Sequence, residues 1–384
     1  MADTTAQLSD ESVTGTPGWQ ALESLALAIN RIPYWLFGFA LWVVVLLHTG
    51  FRGPWIPDAP FLDVAANWPS GSSWDSSIGW ILLPTQIGLS NSPAWSLMWA
   101  TLACATAAFT VYQARKLFTD GRARILLAGL AASAVPTLLL TRLGYYDEML
   151  VIGGLLMALS RRWCWVLGVG LMALANPELA LVASISFGLV ALGYRRRWTL
   201  WRAVSLFGIS VLCIGLVRVA QMVHDTPTQE SRIELLSSNL GASLDSNVQW
   251  LPTTLGTVYA GGWLLVLLLI LTPTGVLGRS LVGLGLVIVP VTAMLVTLDG
   301  TRVAVAVSGA SYVVALREWL VRSRLGEVDA ISRRRASILT LGLVLLTVSV
   351  PAVTVFVVNP ALDWVAPFRD AIWWLTSGGS FSAT

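Results

Sequence analysis

Between two apolar runs, the eight residues Thr141-Arg142-Leu143-Gly144-Tyr145-Tyr146-Asp147-Glu148 hold one cation, two phenols and two carboxyls. A guanidinium there can grip a phosphate through paired, charge-assisted hydrogen bonds, and a neighbouring carboxylate can move a proton. The same segment has a plainer reading, with Asp147 capping the helix that follows and the tyrosines resting at a membrane interface. A second constellation, Leu298-Asp299-Gly300-Thr301-Arg302-Val303, sets Asp299 three residues before Arg302. That spacing suits a cap with a local ion pair, and equally an arginine at the rim of a cavity that holds an anion. Arg142 and Arg218 are further candidates for the same task. Asp58 and Asp63 follow the first apolar run, in a segment stiffened by Pro54, Pro57 and Pro60. Either could serve as general base toward a hydroxyl, or be an ordinary loop aspartate, and Pro60 can open a short helix carrying Asp63. Asp75, before Ser76 and Ser77, reads as a cap for the helix leading to Ile81. Asn176-Pro177-Glu178 spells a helix start, with Asn as N-cap, Pro at the first helical position and an acid in the first turn. His224 and His48 stand far apart in sequence and do not make a metal site.

These residues are set in a chain that is 55% hydrophobic and 12% charged, with mean hydropathy +0.72. Soluble domains carry roughly twice that charge, so the bilayer is the solvent that fits. Apolar runs recur between about residues 33 and 358 and predict an all-α, polytopic transmembrane bundle of about eleven spans, with short membrane-surface helices in its outer loops. Residues 1–30 read as a cytoplasmic tail ending in an interfacial helix over Trp19 to Asn30, 31–360 as the transmembrane domain, and 361–384 as an outer interfacial tail. The long outer loops are 51–92 and 224–254. With the amino terminus inside, only Arg52, Arg142, Arg218, Arg232, Arg302 and Arg369 of the 24 basic residues fall outside, which is the positive-inside pattern. An odd number of passes then puts the carboxyl terminus outside the cytoplasmic membrane. Most of the 21 acids fall on that outer side, so the reactive residues gather there. The basic residues are dispersed between spans without an aromatic platform, which argues against nucleic acid as a partner.

Three central runs, 149–160, 163–175 and 179–194, are too short. At 1.5 Å per residue they reach about 18 to 24 Å across a core of about 30 Å. Backbone that breaks at membrane depth needs burial in protein or a water-filled cavity, so an outward-facing cavity floored near Asn176-Pro177-Glu178 is expected. Thr226-Pro227-Thr228-Gln229-Glu230 has the form of a capping box and predicts a surface helix from Thr226 to a stop at Gly241. Many of the 19 tryptophans suit the interfaces, while Trp55, Trp68, Trp74 and Trp250 could offer stacking faces to a sugar ring.

The long first outer loop with aspartates after the first span, the short central helices, and the YYDE and LDGTR constellations together resemble the GT-C class of integral-membrane glycosyltransferases. The resemblance is architectural and covers most of the chain in outline, and the paired acidic motif common in that class's first loop is absent. It implies a lipid-linked sugar donor on a polyprenyl phosphate, a glycan or lipid acceptor, and membrane lipids as surroundings. Under it Asp58 or Asp63 would be the base, and Arg302, Arg142 or Arg218 would hold the lipid phosphate. Asp299, Tyr146, Asp147, Glu148, Glu178 and His224 would line the substrate site. No motif requires a cofactor, and a divalent cation is the one the resemblance leaves open. Two other functions fit the same residues: a polysaccharide polymerase or ligase on a lipid carrier, and a non-enzymatic transporter or lipid flippase. The second usually carries inverted repeats and ionisable groups near the bilayer midplane.

Overall fold

Inside hydrocarbon every backbone amide must find its partner within the protein, which leaves helices as the route for an apolar chain of this kind. The computed structural model is accordingly helical over nearly all that it describes: residues 17–49, 59–72, 74–88, 93–141, 144–160, 163–226, 232–249, 251–297, 300–323, 325, 330–350, 353–354 and 361–362. It opens with α1 (Pro17–Arg31), α2 (Tyr34–Thr49) and α3 (Ala59–Ala66), then a π-helical turn at Ile78–Leu82 that runs into α4 (Leu83–Gln86). There follow α5 (Pro93–Leu117), α6 (Asp120–Ala131), α7 (Ala134–Thr141), α8 (Tyr146–Leu159), α9 (Cys164–Ala175), α10 (Pro177–Gly193) and α11 (Arg197–Val223). The last third holds α12 (Arg232–Ser238), α13 (Leu240–Gln249), α14 (Leu251–Tyr259), α15 (Trp263–Leu271), α16 (Val276–Gly283), α17 (Val289–Leu295), α18 (Gly300–Arg322) and α19 (Ala330–Ser349). A two-residue antiparallel pairing joins Val353–Thr354 to Ala361–Leu362.

Among the described residues, four helices are long and apolar enough to cross a membrane, and six if each of two bent pairs is one span. This marks a multi-pass membrane protein. The bent pairs are α1 with α2, at 112°, and α6 with α7, at 63°. The central helices are short, as expected: α8, α9 and α10 have 14, 12 and 17 residues. They pack closely because glycines remove the side chains between them. A Cβ on Gly153 would stand 2.6 Å from the Gly168 carbonyl oxygen and 2.5 Å from the Met172 side chain, so α8 and α9 touch backbone to backbone.

At the centre runs α18, with 94% of its apolar window buried inside the protein. It carries polar side chains that a lipid-facing helix could not, and several of them are answered locally. The Tyr312 hydroxyl donates to the Gly129 carbonyl (2.8 Å), and Ser311 shares a hydrogen bond with Ser186 (2.6 Å). Ser186 in turn donates to the carbonyl of Gly285 (2.7 Å), and Tyr259 to that of Leu286 (2.5 Å). Both carbonyls lie in a π-helical segment, Leu284–Ile288, where the widened turn turns backbone oxygens toward side-chain donors.

Five arginines gather at one end of the bundle, where they cap the carbonyl ends of helices. Arg124 donates to Ile29 and Ile32 after α1, Arg202 to Ser160 and Arg317 to Ala158 at the end of α8. Arg322 donates to Tyr194 after α10, and Arg122 to Ser323 and Leu325 after α18. Four last-turn carbonyl sets are thereby satisfied by cations, the sign the helix dipole favours. Arg196 and the buried Glu318 pair at the same end.

One local expectation fails in the second long loop. The Thr226 hydroxyl donates to the Pro69 carbonyl (3.1 Å), and the residues it was expected to cap, 227–231, lie outside the described residues. The helical stretch beyond it breaks at Asn239, and Gly241 lies inside α13, so Gly241 is no stop.

Candidate functional site

At the end of the bundle opposite the arginine caps, the first turns of α8, α10 and α18 meet the segment 68–82 and the last turns of α11. Arg302, in the first turn of α18, is 7% exposed and carries its guanidinium between two residues of the α8 start. Its Nε stands 3.4 Å from Asp147 Oδ2, and its Nη2 donates to the Tyr146 hydroxyl (2.9 Å). The same guanidinium lies 5.3 Å from the Tyr146 ring centre and 5.8 Å from that of Tyr145, so both phenols add to its hold. Asp147 and Glu148 are completely buried. Glu148 bends back to accept the Gly144 amide through Oε2 (3.0 Å), a capping contact across one turn, while its Oε1 has no hydrogen-bond donor among the described residues.

Glu178 reaches the same end from α10. The Asn176 side chain accepts the Leu179 amide (3.0 Å), with Pro177 at the first helical position, so the start signal in the sequence acts as read. That cap aims the half-buried Glu178 at the segment above it, where the Ser76 hydroxyl donates to its Oε2 (3.1 Å).

Asp75 does not cap a helix leading to Ile81. Its carboxylate accepts from the Ser70 amide (3.1 Å) and hydroxyl (2.7 Å), the Gly71 amide (2.8 Å) and Gln221 Nε2 (3.0 Å). The acceptors are spent on a tight loop because four donors converge there, and the fourth comes from α11. Gln221 also accepts from Arg218 Nη1 (3.2 Å), so Arg218 joins the site through an amide relay. Adjacent Ser76 then presents its hydroxyl to Glu178.

An aromatic layer covers this polar knot. Trp80 is fully buried, donates its indole N–H to Gly144 (2.7 Å), and stacks on Tyr145 at 5.6 Å. Trp74 packs against Trp80, Tyr146 and Phe61 at 5.2 to 5.9 Å. Trp68 donates to the Asp75 carbonyl (3.0 Å). Trp68 and Trp74, read as stacking faces for a sugar, are thus engaged with the protein itself.

The structure therefore gathers Tyr146, Asp147, Glu148, Glu178, Arg302 and Arg218. Asp63 is exposed on α3, and no described contact joins its carboxylate to Arg302 or Glu178. His224 is exposed just past α11. Asp58, Arg142 and Asp299, together with Trp55 and Trp250, lie outside the described residues. Among the described residues no group of three or more metal-ligating side chains gathers. Asp75, Ser76 and Gln221 escaped the sequence reading as members of the site. Gln221 had left a signal, because an amide in an apolar span is expensive unless it is used; Ser76 left none.

No family model, curated protein or solved structure matches this chain.

Proposed function

We propose that this chain is a membrane glycosyltransferase that moves a sugar from a polyprenyl-phosphate donor to an acceptor hydroxyl at the end of the bundle opposite the arginine caps. The observation that carries the reading is Arg302 held between Asp147 and Tyr146, beside Glu148 and close to a loop pinned by Asp75. In the reaction a base removes the acceptor proton, the acceptor oxygen bonds to the anomeric carbon, and the polyprenyl phosphate departs with the electron pair of the broken bond. A fixed guanidinium answers the charge that develops on that phosphate, and it does so best where water is restricted. Asp58 or Asp63 supplies the base in this scheme. A divalent cation is not required by it.

The finer topology belongs to the same proposal: eleven passes through the cytoplasmic membrane, amino terminus inside and carboxyl terminus outside. The arginine caps of α1, α8, α10 and α18 share one end, and the site shares the other, which supports a chain that alternates between them. The experiment is incubation of the purified protein with radiolabelled polyprenyl-phosphate sugars and membrane acceptors. Labelled product is expected from the wild type and is abolished in Arg302→Gln. Absence of product with every donor would reject the reading.

One observation favours a second reading. The polar side chains Ser308, Ser311 and Tyr312 are buried in the middle of α18, the depth at which transporters place their sites. Uptake into proteoliposomes without any covalent product would select it.

A further inference from the structure

The amino-terminal helix offers a surface that the transfer reaction does not use. α1 leaves α2 at 112°, so with α2 across the bilayer, α1 lies along its surface. It is fastened there to the start of α19 by an ion pair between Glu23 and Arg334 and a hydrogen bond from Asn30 to Ser337, with Ala26 buried between the helices. Successive residues on a helix turn by about 100°. Glu23, Ala26 and Asn30 consequently form the face against α19, and Leu22, Leu25 and Ile29 the flank beside it. Trp19, Leu22 and Leu25 are 45%, 46% and 50% exposed, an apolar edge of the kind that sinks into the boundary between headgroups and acyl chains.

Among the described residues the charges near that edge are unbalanced. Glu23 answers Arg334 alone, while Arg31, Arg333 and Arg335 are exposed with no acidic partner among the described residues. Three such guanidiniums at the same end of the protein as an apolar helix edge are complementary to a lipid that brings acyl chains and a net negative headgroup together. Zwitterionic lipid supplies the chains without the net charge.

We propose that the crossing of α1 and α19 is a binding site for anionic phospholipid, its acyl chains under Leu22 and Leu25 and its headgroup drawn by the combined charge of Arg31, Arg333 and Arg335. The site fixes α1 to the membrane surface independently of any chemistry at the opposite end of the bundle.

The test is native mass spectrometry of the full-length chain released from mixed micelles of phosphatidylglycerol and phosphatidylcholine. The wild type is expected to retain phosphatidylglycerol preferentially, and the preference to fall about fivefold for each arginine replaced in the series Arg333→Gln, Arg335→Gln, Arg31→Gln. Arg333→Lys with Arg335→Lys keeps the preference, because a point charge suffices for a headgroup. Glu23→Gln frees Arg334 and raises it, a gain that a merely misfolded variant cannot produce. Equal retention of the two lipids by the wild type, or a preference untouched in the triple glutamine variant, overturns the proposal.

Discussion

The guanidinium of Arg302 and the carboxylate of Asp147 are both buried, and a buried pair is costly to halve. Removing one partner strands a charge that the low-dielectric surroundings cannot screen, at a cost of about 3–5 kcal/mol where no other group takes over. Arg302→Met and Asp147→Ala should each lower the melting temperature in detergent, and the double variant should lose less than the sum. A coupling energy of about 1–3 kcal/mol is expected from the cycle. Strict additivity would show that the two side chains do not share a contact. Asp75 permits a second measurement at this scale. With four donors aimed at it, Asp75→Ala leaves buried amides unanswered, each worth about 1–3 kcal/mol. Limited proteolysis should then cut the segment 68–77 faster than in the wild type, and loss of Gln221 alone should have a smaller effect of the same sign.

Helix contacts at the centre depend on where a side chain is missing. Gly153→Ala and Gly168→Ala put a methyl where the facing backbone stands within 2.6 Å, so α8 and α9 must part, at about 1–3 kcal/mol. Gly170→Ala, two residues on, meets nothing within 4 Å and should stabilise the helix by about 0.5–1 kcal/mol. Thermal melting of the three variants checks both signs, and equal effects would refute the close approach. This contrast also shows what the sequence could reveal. The shortness of α8, α9 and α10 was legible because their apolar runs are punctuated by Arg161, Arg162 and Asn176, and helix starts at Asn176 follow local rules. Tyr146, Asp147 and Arg302 were legible as candidates because charge and phenol stand out among apolar neighbours. Their partnership was not, since 155 residues separate Asp147 from Arg302 and only the packing of α8 on α18 joins them. For the same reason the hydrogen bond from Thr226 to the distant carbonyl of Pro69 was not legible.

The whole molecule has two unlike ends, one built of arginine caps on helix carbonyls, the other of carboxylates, phenols and a tryptophan layer. Reporter fusions at the two chain termini test the sidedness that this polarity supports: an odd number of passes requires opposite signals, and identical signals would exclude eleven. The most enclosed helix, α18, also has a consequence for how the protein is made. It is made after the helices it packs against, so Gly129, Tyr146 and Ser186, synthesised far earlier, all wait for it to complete their hydrogen bonds. Until residue 322 has been threaded in, the earlier helices form a sleeve without its pin, lined with groups that hydrocarbon cannot solvate. Biogenesis must therefore hold the unfinished sleeve at the insertion machinery, and a nascent chain arrested before Gly300 should be a preferred substrate for membrane quality control.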